Sequence, residues 1–156
     1  MNQKVLDVCC GSKMFYFDKK DSRVLFCDNR SILETLCDGR TLEVSPDVIS
    51  DFTDLPFRDG TFPLVIFDPP HLCSIGGTSW MAKKYGKLPK EWRSLLSKGF
   101  EECFRVSSLA VIFKWNETQI PIKEILMTTK EKPVLGQRGG KSNKTHWILF
   151  LKGEKV

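Results

Sequence analysis

Asp68, Pro69, Pro70 and His71 follow directly on the apolar run Val65, Ile66, Phe67 in the stretch PLVIFDPPH. A carboxylate at the tip of a buried strand is costly unless something binds there. Two prolines bar continuation of a helix or a central strand and stiffen whatever comes next. Four other apolar runs also end in glycine or polar residues: CCGSK, CDN, SDFTD and KWN. In an open α/β sheet, ligands bind beyond the carboxyl ends of the strands. Gly11 permits a tight turn and a close backbone approach to a ligand. Asp28 lies about 20 residues after the first run, where a carboxylate can accept from both hydroxyls of a ribose. Asp51 can accept from an adenine amino group, with the backbone of Phe52 beside it. Each alone reads as a turn or cap; together they outline an adenosine-shaped pocket.

These tips need a sheet to carry them. Strands are predicted at 4–10, 23–29, 47–50, 63–68, 109–116, 132–137 and 145–152. The early runs are continuously apolar, as strands covered on both faces are. Residues 88–106 carry Trp92, Leu95, Leu96, Phe100, Cys103 and Phe104 at the spacing of an amphipathic helix. A second helix is predicted in IPIKEILMTT, with Ile122, Ile125 and Leu126 on one side. Strand–helix alternation predicts right-handed crossovers and a mostly parallel sheet. The last two runs, joined by a loop rich in Gly, Ser and Asn, predict an antiparallel hairpin.

With 156 residues the chain predicts a single domain, 1–156, with a core of its own. No apolar run approaches the ~20 residues of a membrane span, and MNQKVLDVCC lacks the apolar core of a secretion signal. A cytoplasmic protein is expected. The six cysteines form no CxxC pair and no zinc-type spacing, so reduced, buried thiols are expected and no metal site. The net charge of +5 is unevenly spread. Residues 1–79 hold 8 Lys+Arg against 12 Asp+Glu, whereas 80–156 hold 16 against 7, leaving −4 and +9. An acidic front half and a basic back half suggest two binding tasks, the second with a polyanion.

The stretches VLDVCCGSKMF, FCDN, SDFTDLPFRDGTFPLVIFDPPH and the terminal hairpin resemble a class I S-adenosylmethionine-dependent methyltransferase. DPPH resembles the (D/N/S)PP(Y/F/W/H) motif of enzymes that methylate exocyclic amino nitrogens, chiefly adenine N6. WMAKKYGKL and IFKWNETQIP extend the likeness to small methyltransferases of bacteriophages and prophages, so it covers nearly the whole chain. The resemblance implies a Rossmann-like three-layer sandwich with a seven-stranded, mostly parallel sheet and a C-terminal antiparallel hairpin. It implies that Asp7, Cys9, Gly11, Asp28, Asn29, Asp51 and Phe52 hold S-adenosylmethionine, in a bacterial host cell if the gene is a phage's. It also implies roles for the motif. Asp68 accepts one amino hydrogen and the carbonyl of Pro69 the other, Pro70 keeps both rigid, and His71 stacks on the base.

A base inside a duplex must be flipped out to reach such a pocket. Trp80, Lys83, Lys84 and Tyr85 interleave aromatics with cations after Gly76 and Gly77, which suits base stacking and phosphate contact on a mobile lid. Arg138, Lys141 and Lys144 add charge in the hairpin, and Lys114 and Asn116 end the strand beside the motif. The chain departs from the family in two respects. One glycine follows the first strand where several are usual, and no helix precedes that strand. The donor pocket is then more open or is completed elsewhere, a second copy of the chain being one source. The leading expectation is DNA adenine-N6 methylation. The alternatives are RNA methylation at adenine N6 or guanine N2, and a non-catalytic donor-binding protein that binds nucleic acid.

Overall fold

Continuously apolar strands need cover on both faces, and the computed structural model, which describes residues 2–153, sets them at the centre of one sheet. In chain order the elements begin β1 (Val5–Asp7), β2 (Val24–Asp28), β3 (Ile32–Thr35), β4 (Thr41–Val44), β5 (Val48–Ile49) and β6 (Phe62–Phe67). Helices α1 (Trp80–Tyr85) and α2 (Trp92–Val106) follow. The chain continues through β7 (Ser107–Asn116), α3 (Ile122–Leu126), β8 (Leu135–Arg138) and β9 (Thr145–Leu151).

The seven-stranded sheet has the order β5-β2-β1-β6-β7-β9-β8. Its first five members pair in parallel, and β9 lies antiparallel between β7 and β8. Because β2 and β6 flank β1 on opposite sides, the strand order reverses between β1 and β6. The fold is a mixed, Rossmann-like α/β sheet with an antiparallel C-terminal strand pair, as the resemblance implied.

Cover on one face comes from α2, which packs across β6 and β7. Of the predicted apolar stripe, Trp92, Leu96, Phe100, Cys103 and Phe104 are buried and Leu95 is half-buried. The Phe100 ring lies 5.2 Å from that of Phe67 and 4.8 Å from that of Phe113. Gly99 lets α2 come this close. A Cβ there would stand 2.6 Å from Cζ of Phe67 and 2.7 Å from Cδ2 of Phe52. Gly99→Ala is expected to destabilise the fold by about 1–3 kcal/mol through this overpacking. Urea denaturation against the exposed control Lys98→Ala checks it.

Arg105, at the end of the same helix, fixes the approach to β6. Its guanidinium donates to the carbonyls of Leu55 (2.9 Å) and Phe57 (2.7 Å) and pairs with Glu102, which accepts from the Leu55 N–H. The DLPFRDG segment is thus bolted to α2 before the chain enters the strand that carries Asp68.

Strand–helix alternation is only partly realised. No helix lies between β1 and β2. Residues 11–22 cross in turns, and Tyr16 covers Cys10, Val24 and Phe26 on that face. Between β2 and β5 the chain forms the β3–β4 hairpin, with its own cluster of Leu36, Leu42 and Val44. Its signal was present in the sequence. Asp38-Gly39, between the short runs ILET and TLEV, is a hairpin turn signature, and Gly39 takes φ +82° there. The segment expected as a mobile lid contains α1, capped by Ser79, whose hydroxyl accepts from the Ala82 N–H.

All six cysteines are unpaired. Cys10, Cys27 and Cys103 are buried, Cys9 and Cys73 half-buried, and Cys37 exposed. No helix among the described residues is long and apolar enough to cross a membrane.

Candidate functional site

The reversal between β1 and β6 opens a crevice beyond their carboxyl ends, and a cleft of ≈ 530 Å³ lies there. Both motif groups face it. Cys9, Gly11, Asp28, Asn29 and Phe52 line one side, and Asp68, Pro69, Pro70 and His71 the other.

On the first side, Gly11 takes φ +50° and a side chain there would meet nothing within 4 Å, so its backbone faces open space. Its N–H donates to Oδ2 of Asp28 at 2.9 Å. Oδ1 of Asp28 accepts from both the backbone N–H and Nε of Arg30, each at 3.0 Å. A carboxylate has about four lone-pair positions. Three are taken within the protein, which leaves one on Oδ2 for a ligand hydroxyl. The Arg30 guanidinium also donates to the carbonyl of Lys83 at 2.8 Å, linking this carboxylate to α1. Arg30 lines the cleft, and sequence reasoning missed it because Asp28 alone fitted the ribose argument.

Asp7 and Asp51 do not line the cleft. Asp51 is exposed, and its Oδ1 accepts from the N–H and hydroxyl of Thr53, closing a turn. Its neighbours Ser50 and Phe52 line the cleft instead. Asp7 is fully buried behind the wall, where Oδ1 accepts from the Cys9 N–H and Oδ2 from the Tyr16 hydroxyl at 2.8 Å. Burial pushes its carboxyl up to about 7, against these two hydrogen bonds, and Asp68 and Asp28 nearby add to the rise. Burial also raises the Cys9 thiol well above its ordinary range, so it lines the cleft as an inert neutral group.

The rise at Asp7 gives a signed expectation. The folded chain holds this proton more tightly than the unfolded chain, whose carboxyl titrates near 3.8. Its contribution to stability is therefore full below about pH 4 and is lost as pH rises toward about 7. The melting-temperature difference between Asp7→Asn and the wild type should grow in favour of the variant from pH 4 to 8. A difference flat across that range refutes the assignment.

On the motif side, Oδ2 of Asp68 accepts from Nζ of Lys114 at 2.9 Å. Burial raises the Asp68 carboxyl, and the Lys114 charge and hydrogen bond pull the other way. The His71 imidazole is pushed down to about 4 by burial and then by Lys114, so it is neutral at pH 7. Its ring lies 5.5 Å from that of Tyr85 and 6.2 Å from that of Trp115. Gly86 fits α1 against the motif. It has φ +76°, and a Cβ there would stand 2.9 Å from Cγ of Pro70. The Leu88 N–H donates to the Leu72 carbonyl, which seats the chain after α1 alongside the motif.

The proposed substrate residues divide. Lys84, Tyr85, Lys114 and Asn116 line the cleft; Trp80, Lys83, Lys141 and Lys144 do not. Lys83 is spent on an ion pair with Glu34 at 2.7 Å, and Trp80 lies 5.9 Å from both the Arg40 and Lys84 cations. Lys141 and Lys144 are exposed in the β8–β9 loop. The backbone of Arg138 closes β8 opposite His146, and its side chain lies outside the described residues. Asn116 is a bracket: Nδ2 donates to the Thr145 hydroxyl, and Oδ1 accepts from the Thr118 N–H. Met14, Phe15, Met81, Thr118 and Thr145 also line the cleft. They are ordinary types on turns, a helix start and a strand start, with no spacing that marks them.

No protein-family model matches the chain, and no curated protein matches it. Among solved structures, the crystal structure of the PH0226 protein from Pyrococcus horikoshii OT3 is similar over 98% of this chain and 83% of that one. The TM-score is 0.56 at 16% identity, a likeness of fold.

Proposed function

We propose that this chain is an S-adenosylmethionine-dependent methyltransferase that methylates adenine N6 in DNA. The observation that carries the reading is that Gly11, Asp28 and the Asp68–His71 motif line one cleft at the strand-order reversal. The cleft's volume falls in the range of small-molecule sites. Gly11 leaves backbone open to a ligand, Asp28 keeps one acceptor position for a ribose hydroxyl, and Phe52 supplies an apolar wall, so a nucleoside-bearing donor fits the residues present. When bound, S-adenosylmethionine supplies an electrophilic methyl group whose bonding pair stays on sulfur.

The protein's own contribution is positioning and electrostatics. The adenine N6 lone pair is delocalised into its ring. Asp68 Oδ1 and the Pro69 carbonyl draw on the two amino hydrogens and turn the lone pair toward the methyl carbon. As the N–C bond forms, nitrogen becomes cationic and releases a proton toward Asp68 and then to solvent. The neutral His71 ring supplies a stacking face with no charge to desolvate. Nucleic acid as the substrate is supported by Lys84 and Tyr85 at the cleft and by the basic second half of the chain.

Transfer of labelled methyl to unmodified DNA and to total RNA, followed by nucleoside mass analysis, tests this reading. N6-methyladenosine appearing chiefly in the DNA digest supports it. Labelling of RNA alone moves the substrate to RNA, and labelling of neither polymer removes the nucleic-acid reading. The salt dependence of DNA binding adds a finer expectation. Lys84→Ala should flatten the slope by roughly one unit, while Lys83→Ala, whose ammonium already neutralises Glu34, should leave it nearly unchanged.

A further inference from the structure

We propose that Lys114 is a specificity-determining residue: with Asp68 it presents a donor beside an acceptor, a couple that reads an aromatic amino group together with a ring-nitrogen acceptor next to it. The inference rests on the methyl-transfer reading and narrows its substrate.

Lys114 lies on β7 beside the β6 tip and lines the cleft with its side chain about a quarter exposed. Its ammonium has three N–H donors. One goes to Oδ2 of Asp68. The Phe15 ring at 5.1 Å and the Trp147 ring at 5.6 Å hold the cation without accepting a conventional hydrogen bond. Phe15 and Trp147 pack edge to face at 5.2 Å, so the cation rests on a built surface. Among the described residues only Lys114 donates to the Asp68 carboxylate. The cleft therefore offers Oδ1 of Asp68 as acceptor and a Lys114 N–H as donor, fixed side by side.

Adenine presents the complement on its Watson–Crick edge, a 6-amino donor beside the N1 acceptor. Cytosine does so with its 4-amino group and N3. On the same edge guanine sets its 2-amino group beside N1–H, and two donors would then face each other at Lys114. The couple admits adenine and cytosine, disfavours guanine presented by this edge, and leaves the choice between the first two to ring size.

The test takes the oligonucleotide that the wild type methylates best and replaces its modified adenine with 1-deazaadenine, which keeps the amino group and loses N1. The wild type should lose about tenfold or more in kcat/KM and in affinity, and Lys114→Met should treat the two oligonucleotides within about threefold of each other. Lys114→Arg, which keeps charge and donors, should restore discrimination. Equal use of both oligonucleotides by the wild type overturns the inference whatever the variants do, and so does full discrimination retained in Lys114→Met. Affinity is measured beside turnover, so an inactive variant still decides. If the wild type labels neither DNA nor RNA, the nucleic-acid reading falls and the inference falls with it.

Discussion

Asp68→Ala should cut methyl transfer by on the order of a hundred- to a thousandfold while donor affinity changes by less than about threefold. The separation follows from the site's two sides. Asp68 stands on the motif side, and no hydrogen bond joins it to Gly11, Asp28 or Arg30. Truncation removes the acceptor for one amino hydrogen and leaves the Lys114 ammonium without its carboxylate, so the amino group is both misaligned and faced by an unpaired cation. Asp68→Asn should be milder than Asp68→Ala. An amide oxygen still accepts one hydrogen, and the motif that DPPH resembles admits Asn at this position. Activity should fall as pH drops through the Asp68 carboxyl, which burial holds above the ordinary carboxylate range. His71, depressed to about 4, should contribute no inflection near 6.5. Donor titration calorimetry beside single-turnover kinetics measures both halves. Transfer that survives in Asp68→Ala would falsify the assigned role of the carboxylate.

Much of this was written in the sequence where one local rule acts alone. Runs apolar at every position forced doubly covered strands, and the period of Trp92, Leu96, Phe100 and Phe104 forced α2 to lie on them. Motif tips were legible because a carboxylate, glycine or proline at a strand end is costly to place without purpose. Placements the sequence does not foretell arise where several rules compete. Asp28 and Asp51 look alike in sequence, each a carboxylate after an apolar run. Asp28 turned inward because Gly11 and Arg30 donate to it, and Asp51 turned outward to its own Thr53. Lys83 and Lys84 are adjacent, and a 100° step around α1 sends one to Glu34 and the other to the cleft. Such choices depend on partners far along the chain, which no local pattern encodes. The β3–β4 hairpin is a different case. Its Asp-Gly turn stands in the sequence, in a stretch where strand–helix alternation alone would place a helix.

Asp28→Ala should weaken donor binding by about tenfold to a hundredfold and lower stability by about 2 kcal/mol, because one buried carboxylate serves both tasks. Its removal strands the Gly11 N–H and leaves the Arg30 guanidinium with only the Lys83 carbonyl, where each had a charge-assisted bond to the carboxylate. Freed from Asp28, the turn at Gly11 keeps only the Cys10 N–H to Cys27 carbonyl bond as its nearest tie to β2. Arg30→Ala has the opposite sign on the donor side. It returns one lone pair to Oδ1, the backbone N–H of residue 30 keeping the other, so a ribose can engage both oxygens, and donor affinity should hold or improve. The same variant cuts the link to the Lys83 carbonyl, loosening the helix that carries Lys84 and Tyr85, so KM for nucleic acid should rise. Titration of S-adenosylhomocysteine into both variants, beside KM for the oligonucleotide, reads the two effects separately. If Arg30→Ala weakens donor binding as much as Asp28→Ala does, Arg30 is itself a donor contact, and the count of free lone pairs on Asp28 does not govern the pocket.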